Sequence, residues 1–120
     1  MPIDNMYTRL AAVLLVFFGE AFSIAAELVA AKRIGMGGNY PHIFILATIV
    51  VIFGGAMLIA GYMLGYLYLK NIWIIAAISV GSILIVEPIV AYALFRQMPT
   101  LGAGIGLVLG VLGTLAALFL

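Results

Sequence analysis

Polar and apolar residues do not alternate along this chain. Charged and turn-forming residues arrive in small groups and separate four long apolar runs. The first run covers about 10–31, between Arg9 and the pair Lys32-Arg33; the second covers about 43–69. Lys70-Asn71 precedes the third, about 73–95, and Arg96-Gln97-Met98-Pro99-Thr100 precedes the last, 101–120. Each run has the roughly 20 residues that carry a helix across about 30 Å of hydrocarbon. The pattern predicts an all-α polytopic membrane protein, with four transmembrane helices in an antiparallel bundle. A single domain, 1–120, is expected, with both termini on one side, because short connections force neighbouring helices to run antiparallel. The glycine-rich stretch from Lys32 to His42, closed by Pro41, is expected to be the one extended loop. The first run is too long for the apolar region of a signal peptide and contains Glu20 and Glu27, so a retained helix is expected.

Composition sharpens this picture. Of the 120 residues 68% are hydrophobic and only 8% charged. A soluble domain of this size would have to present an apolar exterior to water, so lipid is the natural solvent. A net charge of +1 provides no basic face for nucleic acid. With no cysteine and a single histidine, His42, the chain has no thiolate or clustered-imidazole metal site, and no cofactor is implied. No nucleophile–base pair points to covalent chemistry, so an enzyme is not expected. The side holding the termini carries Arg9 and Lys70, and the other carries Lys32, Arg33 and Arg96. That narrow bias nominally places the latter side in the cytoplasm; a fixed topology and insertion in both orientations both fit it.

The apolar runs contain three carboxylates. Glu20, Glu27 and Glu87 lie inside them, and Asp4 is the only acid outside. A charge near the bilayer centre costs roughly 2.5–3.5 kcal/mol on insertion scales, so such a residue calls for a partner, a wet cavity or a proton. Glu20 lies near the midpoint of its run. At 100° per residue Ser23 is about 60° and Glu27 about 20° from it around the helix, which predicts one polar stripe facing the bundle or another subunit. Burial disfavours the charged form of a carboxyl, as proton loading requires. The functional reading of Glu20 is a site exchanging a proton for a cation or polar solute; the structural one is a neutral acid hydrogen-bonded between helices. Glu27, near Lys32, suits gating or an ion pair as well as substrate contact. Glu87 precedes Pro88, whose missing N–H frees a carbonyl beside the acid, a feature of both transport sites and plain packing.

Small and aromatic residues add a packing pattern. Gly102, Gly106 and Gly110 recur every fourth residue in the last run, and Gly54, Gly61 and Gly65 share one side of the second. Such stripes let helix backbones approach closely, within the chain or between copies. Tyr62 and Tyr66 each follow a glycine of the second stripe and are candidates to line a cavity with the glutamates, where ring faces suit organic cations. Filling of core or headgroup space is the alternative. Trp73 opens the third run at the depth of an interfacial anchor.

The C-terminal half carries a resemblance. Ser79-Val80-Gly81, then Glu87-Pro-Ile-Val-Ala-Tyr-Ala-Leu-Phe-Arg-Gln-Met-Pro and the glycine-rich last run, resemble the third and fourth helices of the small multidrug resistance family. The Glu-Pro-Ile-Val stretch is similar to the EamA-like branch of the same drug/metabolite transporter superfamily. Ser79 stands where the small multidrug family carries an aromatic residue, and the Lys32–His42 stretch is longer than that family's loop. The resemblance implies a proton-coupled exporter of small cationic or amphipathic solutes in a prokaryotic cytoplasmic (inner) membrane. It further implies alternating access in a homodimer, or with a paralogous or larger membrane partner. Glu20 would be the shared proton and substrate site, with Ser23, Glu27, Tyr62, Tyr66 and Glu87 lining the path. Two alternatives fit the same residues: a translocase subunit for a lipid-linked substrate, and a non-transport accessory subunit of a larger membrane complex.

Overall fold

The computed structural model describes residues 2–120, with side chains from residue 6, so the Asp4 carboxyl lies outside what is described. It contains four helices: α1 (Pro2–Gly35), α2 (Tyr40–Leu69), α3 (Ile72–Phe95) and α4 (Leu101–Phe119). All four are long and apolar enough to cross a membrane, and the described residues contain no strand. This is the all-α, four-span architecture expected of an integral membrane protein. In hydrocarbon a backbone must satisfy its own hydrogen bonds, and a helix does so within one segment.

Helix ends explain the connections. Asn39, Asn71 and Thr100 cap α2, α3 and α4, their side-chain oxygens accepting from the N–H groups of His42, Trp73 and Ala103. Lys70 and Arg96 close α2 and α3 in the left-handed conformation (φ 57° and 55°), donating their N–H groups to the Tyr66 and Tyr92 carbonyls. A cation there also sits at the negative end of the helix dipole. The α2–α3 turn therefore consists of one C-cap and one N-cap residue and nothing else.

The expected Lys32–His42 loop is shorter than its composition implied. Helix α1 runs through Lys32 and Arg33 to Gly35, and α2 begins at Tyr40, leaving residues 36–39 as the connection. Lysine and arginine are favourable in a last helical turn, and Pro41 falls in the first turn of α2, where its missing N–H has no intrahelical partner to lose. Hydropathy located the edge of the lipid, whereas capping located the end of the helix. At about 1.5 Å per residue α1 is roughly 50 Å long and extends beyond the hydrocarbon.

The helices are not equally packed. Helices α1 and α2 form a close seam: a Cβ on Gly54 would lie 2.9 Å from the Gly19 carbonyl oxygen, and one on Gly61 2.7 Å from Val16 Cγ2. Helix α3 rests on that pair through Ile75, which meets Gly65, and through Ser79. The buried residues of α3 are Ile75, Ala77, Ser79 and Ser82, all in its first half. Among the described residues helix α4 touches α3 alone, through Thr114 against Gly81 and Gly110 against Leu84, and has no buried residue. Gly102 and Gly106 have open space where a Cβ would be. The result is a slab of 53 × 33 × 18 Å. Its accessible surface is 8121 Å², against about 6200 Å² for a compact soluble chain of this mass.

Candidate functional site

Glu20 lies on α1, half-buried, where α3 crosses it. The Ser79 hydroxyl donates to its Oε1 at 2.6 Å. Three other intramembrane hydroxyls serve their own helices: Ser23 donates to the Gly19 carbonyl, Ser82 to Ile78 and Thr114 to Gly110, each four residues back. Ser79, in contrast, crosses between helices. The sequence singled it out only as a departure from the aromatic residue of similar proteins. What marked it for this role was its position, a polar residue one turn from Ser82 on the α3 face that the bundle buries.

The charge environment of Glu20 follows from where the bases sit. Arg9 and Lys32 are about 17 Å away along α1, and Lys70 and Arg96 cap the ends of α2 and α3. Arg9 donates to the Tyr68 carbonyl at 3.4 Å, holding the start of α1 to the end of α2. Four of the five bases therefore lie at helix C-terminal ends and Arg9 two turns inside α1, all far from the mid-span carboxyl, which a hydroxyl faces instead. A serine O–H can donate to a carboxylate and accept from a protonated acid, so Glu20 keeps a partner in either state.

The stripe of Glu20, Ser23 and Glu27 divides between neighbours. Ser23 is buried in the α1–α2 seam, its Oγ 2.7 Å from where a Cβ on Gly54 would stand. Glu20 is turned toward α3. Glu27 is exposed and lines a groove of about 570 Å³ between α1 and α2. Glu87 is exposed in a separate groove of about 570 Å³ between α3 and α4, with Pro88, Tyr92, Gln97 and Gly106 among its walls. Pro88 leaves the Leu84 carbonyl without its helical donor beside that groove. Helices α1 and α3 run in the same direction, and the Glu20–Ser79 contact sets their register. Glu27 and Glu87 therefore share nearly one depth, about 10 Å beyond Glu20 toward the Lys32–Arg96 side.

The tyrosines are elsewhere. Tyr62 is half-buried and Tyr66 is 58% exposed, both in the half of α2 that approaches the α3 turn. Neither glutamate-bearing groove includes them. Their helical phase explains this: the glycine stripe faces α1 and α3, and the residue after each glycine is rotated about 100° away from it. Trp73, 77% exposed, sits in the first turn of α3.

Comparisons with protein-family models, with curated proteins and with solved structures return no match to this chain.

Proposed function

We propose that this protein is a proton-coupled exporter of small cationic or amphipathic solutes, working as a dimer by alternating access in a prokaryotic cytoplasmic membrane. One observation carries the reading: a half-buried carboxyl at mid-span, Glu20, faces a neutral hydroxyl rather than a base. A permanently paired acid would be structural. A carboxyl held only by Ser79 keeps a stabilising contact as a proton leaves and a cation takes its place. Exchange of proton for solute at one carboxyl then couples the two fluxes. The α1–α3 contact that Glu20 helps form is the element whose geometry changes with occupancy. The resemblance to the small multidrug resistance and EamA-like proteins supports the same assignment.

The test is flux in reconstituted vesicles carrying a pH gradient. Glu20→Gln is expected to eliminate proton-driven uptake of an organic cation while leaving the thermal transition in place. Unchanged uptake in that variant removes Glu20 from the site and the proposal with it.

A second reading, translocation of a lipid-linked substrate, is favoured by the groove between α3 and α4, which runs along a helix that among the described residues touches α3 alone. Arg96, at the end of α3, would hold a phosphate at the interface. Stabilisation by polyprenyl phosphates, lost in Arg96→Gln, separates this reading from cation export, for which Arg96 is dispensable.

A further inference from the structure

The groove between the end of α1 and the start of α2 joins residues that the sequence kept apart. Tyr40, in the first turn of α2, stacks on Phe44 with ring centroids 6.1 Å apart and planes within 10°. Both rings are exposed. Thr48 continues the same face one turn deeper, and Glu27 lies across from it on α1. The antiparallel seam, with Gly19 against Gly54, puts Glu27 and Thr48 at one level. The rest of the lining is aliphatic, including Ala31 and Ile34. The groove therefore descends from two aromatic faces at the membrane surface to a carboxylate about 6 Å below the last apolar residue of the span.

The neighbouring bases do not fill it. Lys32 and Arg33 follow Glu27 by five and six positions, about 140° and 120° around the helix on either hand. Arg33 lines the opposite side of the α1–α2 seam, with Ile43 and Leu46. The exposed acid thus shares its groove with two aromatic rings and a hydroxyl, and neither base is among the lining residues. A volume of about 570 Å³ falls within the usual range of small-molecule sites.

We propose that this groove is a binding site for the ammonium group of an organic cation. The carboxylate of Glu27 supplies the counter-charge, the faces of Tyr40 and Phe44 supply the cation–π surface, and the aliphatic walls take the hydrocarbon part. An inorganic cation gains little here, because a single carboxylate and a hydroxyl do not replace its hydration shell. The same chemistry is carried by a free quaternary amine and by the headgroup of a zwitterionic lipid. The site stands apart from Glu20, which lies seven residues and about 10 Å away along α1 and does not line this groove, so it does not depend on the transport reading.

The test uses the full chain in nanodiscs of phosphatidylglycerol, which has no ammonium group, titrated calorimetrically with benzyltrimethylammonium. Saturable binding is expected, weakened about tenfold or more by Glu27→Gln, which removes the counter-charge. Phe44→Leu, which keeps the volume apolar, is expected to weaken it about three- to fivefold, and Tyr40→Phe to leave it intact. The titrations are made in the Glu20→Gln background, so that a cation held at the mid-span carboxyl does not contribute, and neopentylbenzene, the neutral carbon analogue of the ligand, is expected not to bind. Adding phosphatidylcholine to the discs distinguishes the sources: competition identifies the lipid headgroup as occupant, and its absence identifies a free cation. Absence of binding, equal binding of the neutral analogue, or indifference to both Glu27→Gln and Phe44→Leu overturns the proposal.

Discussion

Replacing Gly54 by alanine is the sharpest test of the α1–α2 seam. The added Cβ would meet Ser23 Oγ at 2.7 Å, the Gly19 carbonyl oxygen at 2.9 Å and Phe22 Cβ at 3.3 Å. Ordinary contact begins near 3.4 Å. Ser23 can rotate only by giving up its bond to Gly19, and the carbonyl belongs to helix backbone, so the helices must part by about 0.5 Å. A gap of that size forfeits about a quarter of each dispersion contact, worth ~0.1–0.2 kcal/mol apiece, which over a few tens of contacts amounts to ~1–2 kcal/mol. Gly55→Ala is the control, because nothing lies within 4 Å of its Cβ. Both variants gain the same intrinsic helix preference of alanine over glycine, about 1 kcal/mol, which cancels in their comparison. Gly54→Ala is thus expected to be less stable than Gly55→Ala by about 1–3 kcal/mol, the usual range for overpacking. The assay is reversible unfolding in mixed micelles at fixed detergent ratio. Equal stability of the two alanine variants would refute the close approach of α1 and α2 at this level.

Three further outcomes follow from particular contacts. A double-mutant cycle on Glu20→Gln and Ser79→Ala is expected to show a coupling of about 0.5–2 kcal/mol, the scale of interhelical hydrogen bonds in membranes; additive effects would mean the two side chains do not meet. Trp73 is the single tryptophan, so its fluorescence reports one depth. Quenching by lipids brominated near the headgroup should exceed quenching by chain-end bromines, and the reverse order would displace the start of α3 from the interface. Lys70→Gly relieves a left-handed backbone at the end of α2 while removing a favourable C-terminal charge. A net stabilisation of about 0.5–1 kcal/mol is expected in the same unfolding assay, and a loss of stability would show that the lysine charge outweighs the strain.

The four helices were legible in the sequence because lipid enforces a simple rule. Any segment that crosses hydrocarbon must be apolar and must bond its own backbone, so run length and charge position nearly determine the element list. The same rule made Glu20, Glu27 and Glu87 conspicuous. Other features answer to contacts between helices, which hydropathy does not encode. Helical phase placed Glu20 and Glu27 on one face, yet α3 meets that face at Ser79 and leaves Glu27 open. Seam geometry placed Ser23 in the α1–α2 contact, since only a glycine at position 54 makes room for it. Tyr40 and Phe44 joined Glu27 in one groove because capping by Asn39 began α2 earlier than its apolar run. The sequence determined which residues enter the membrane; the tertiary structure decided which of them meet, because close approach depends on the shape of both partners.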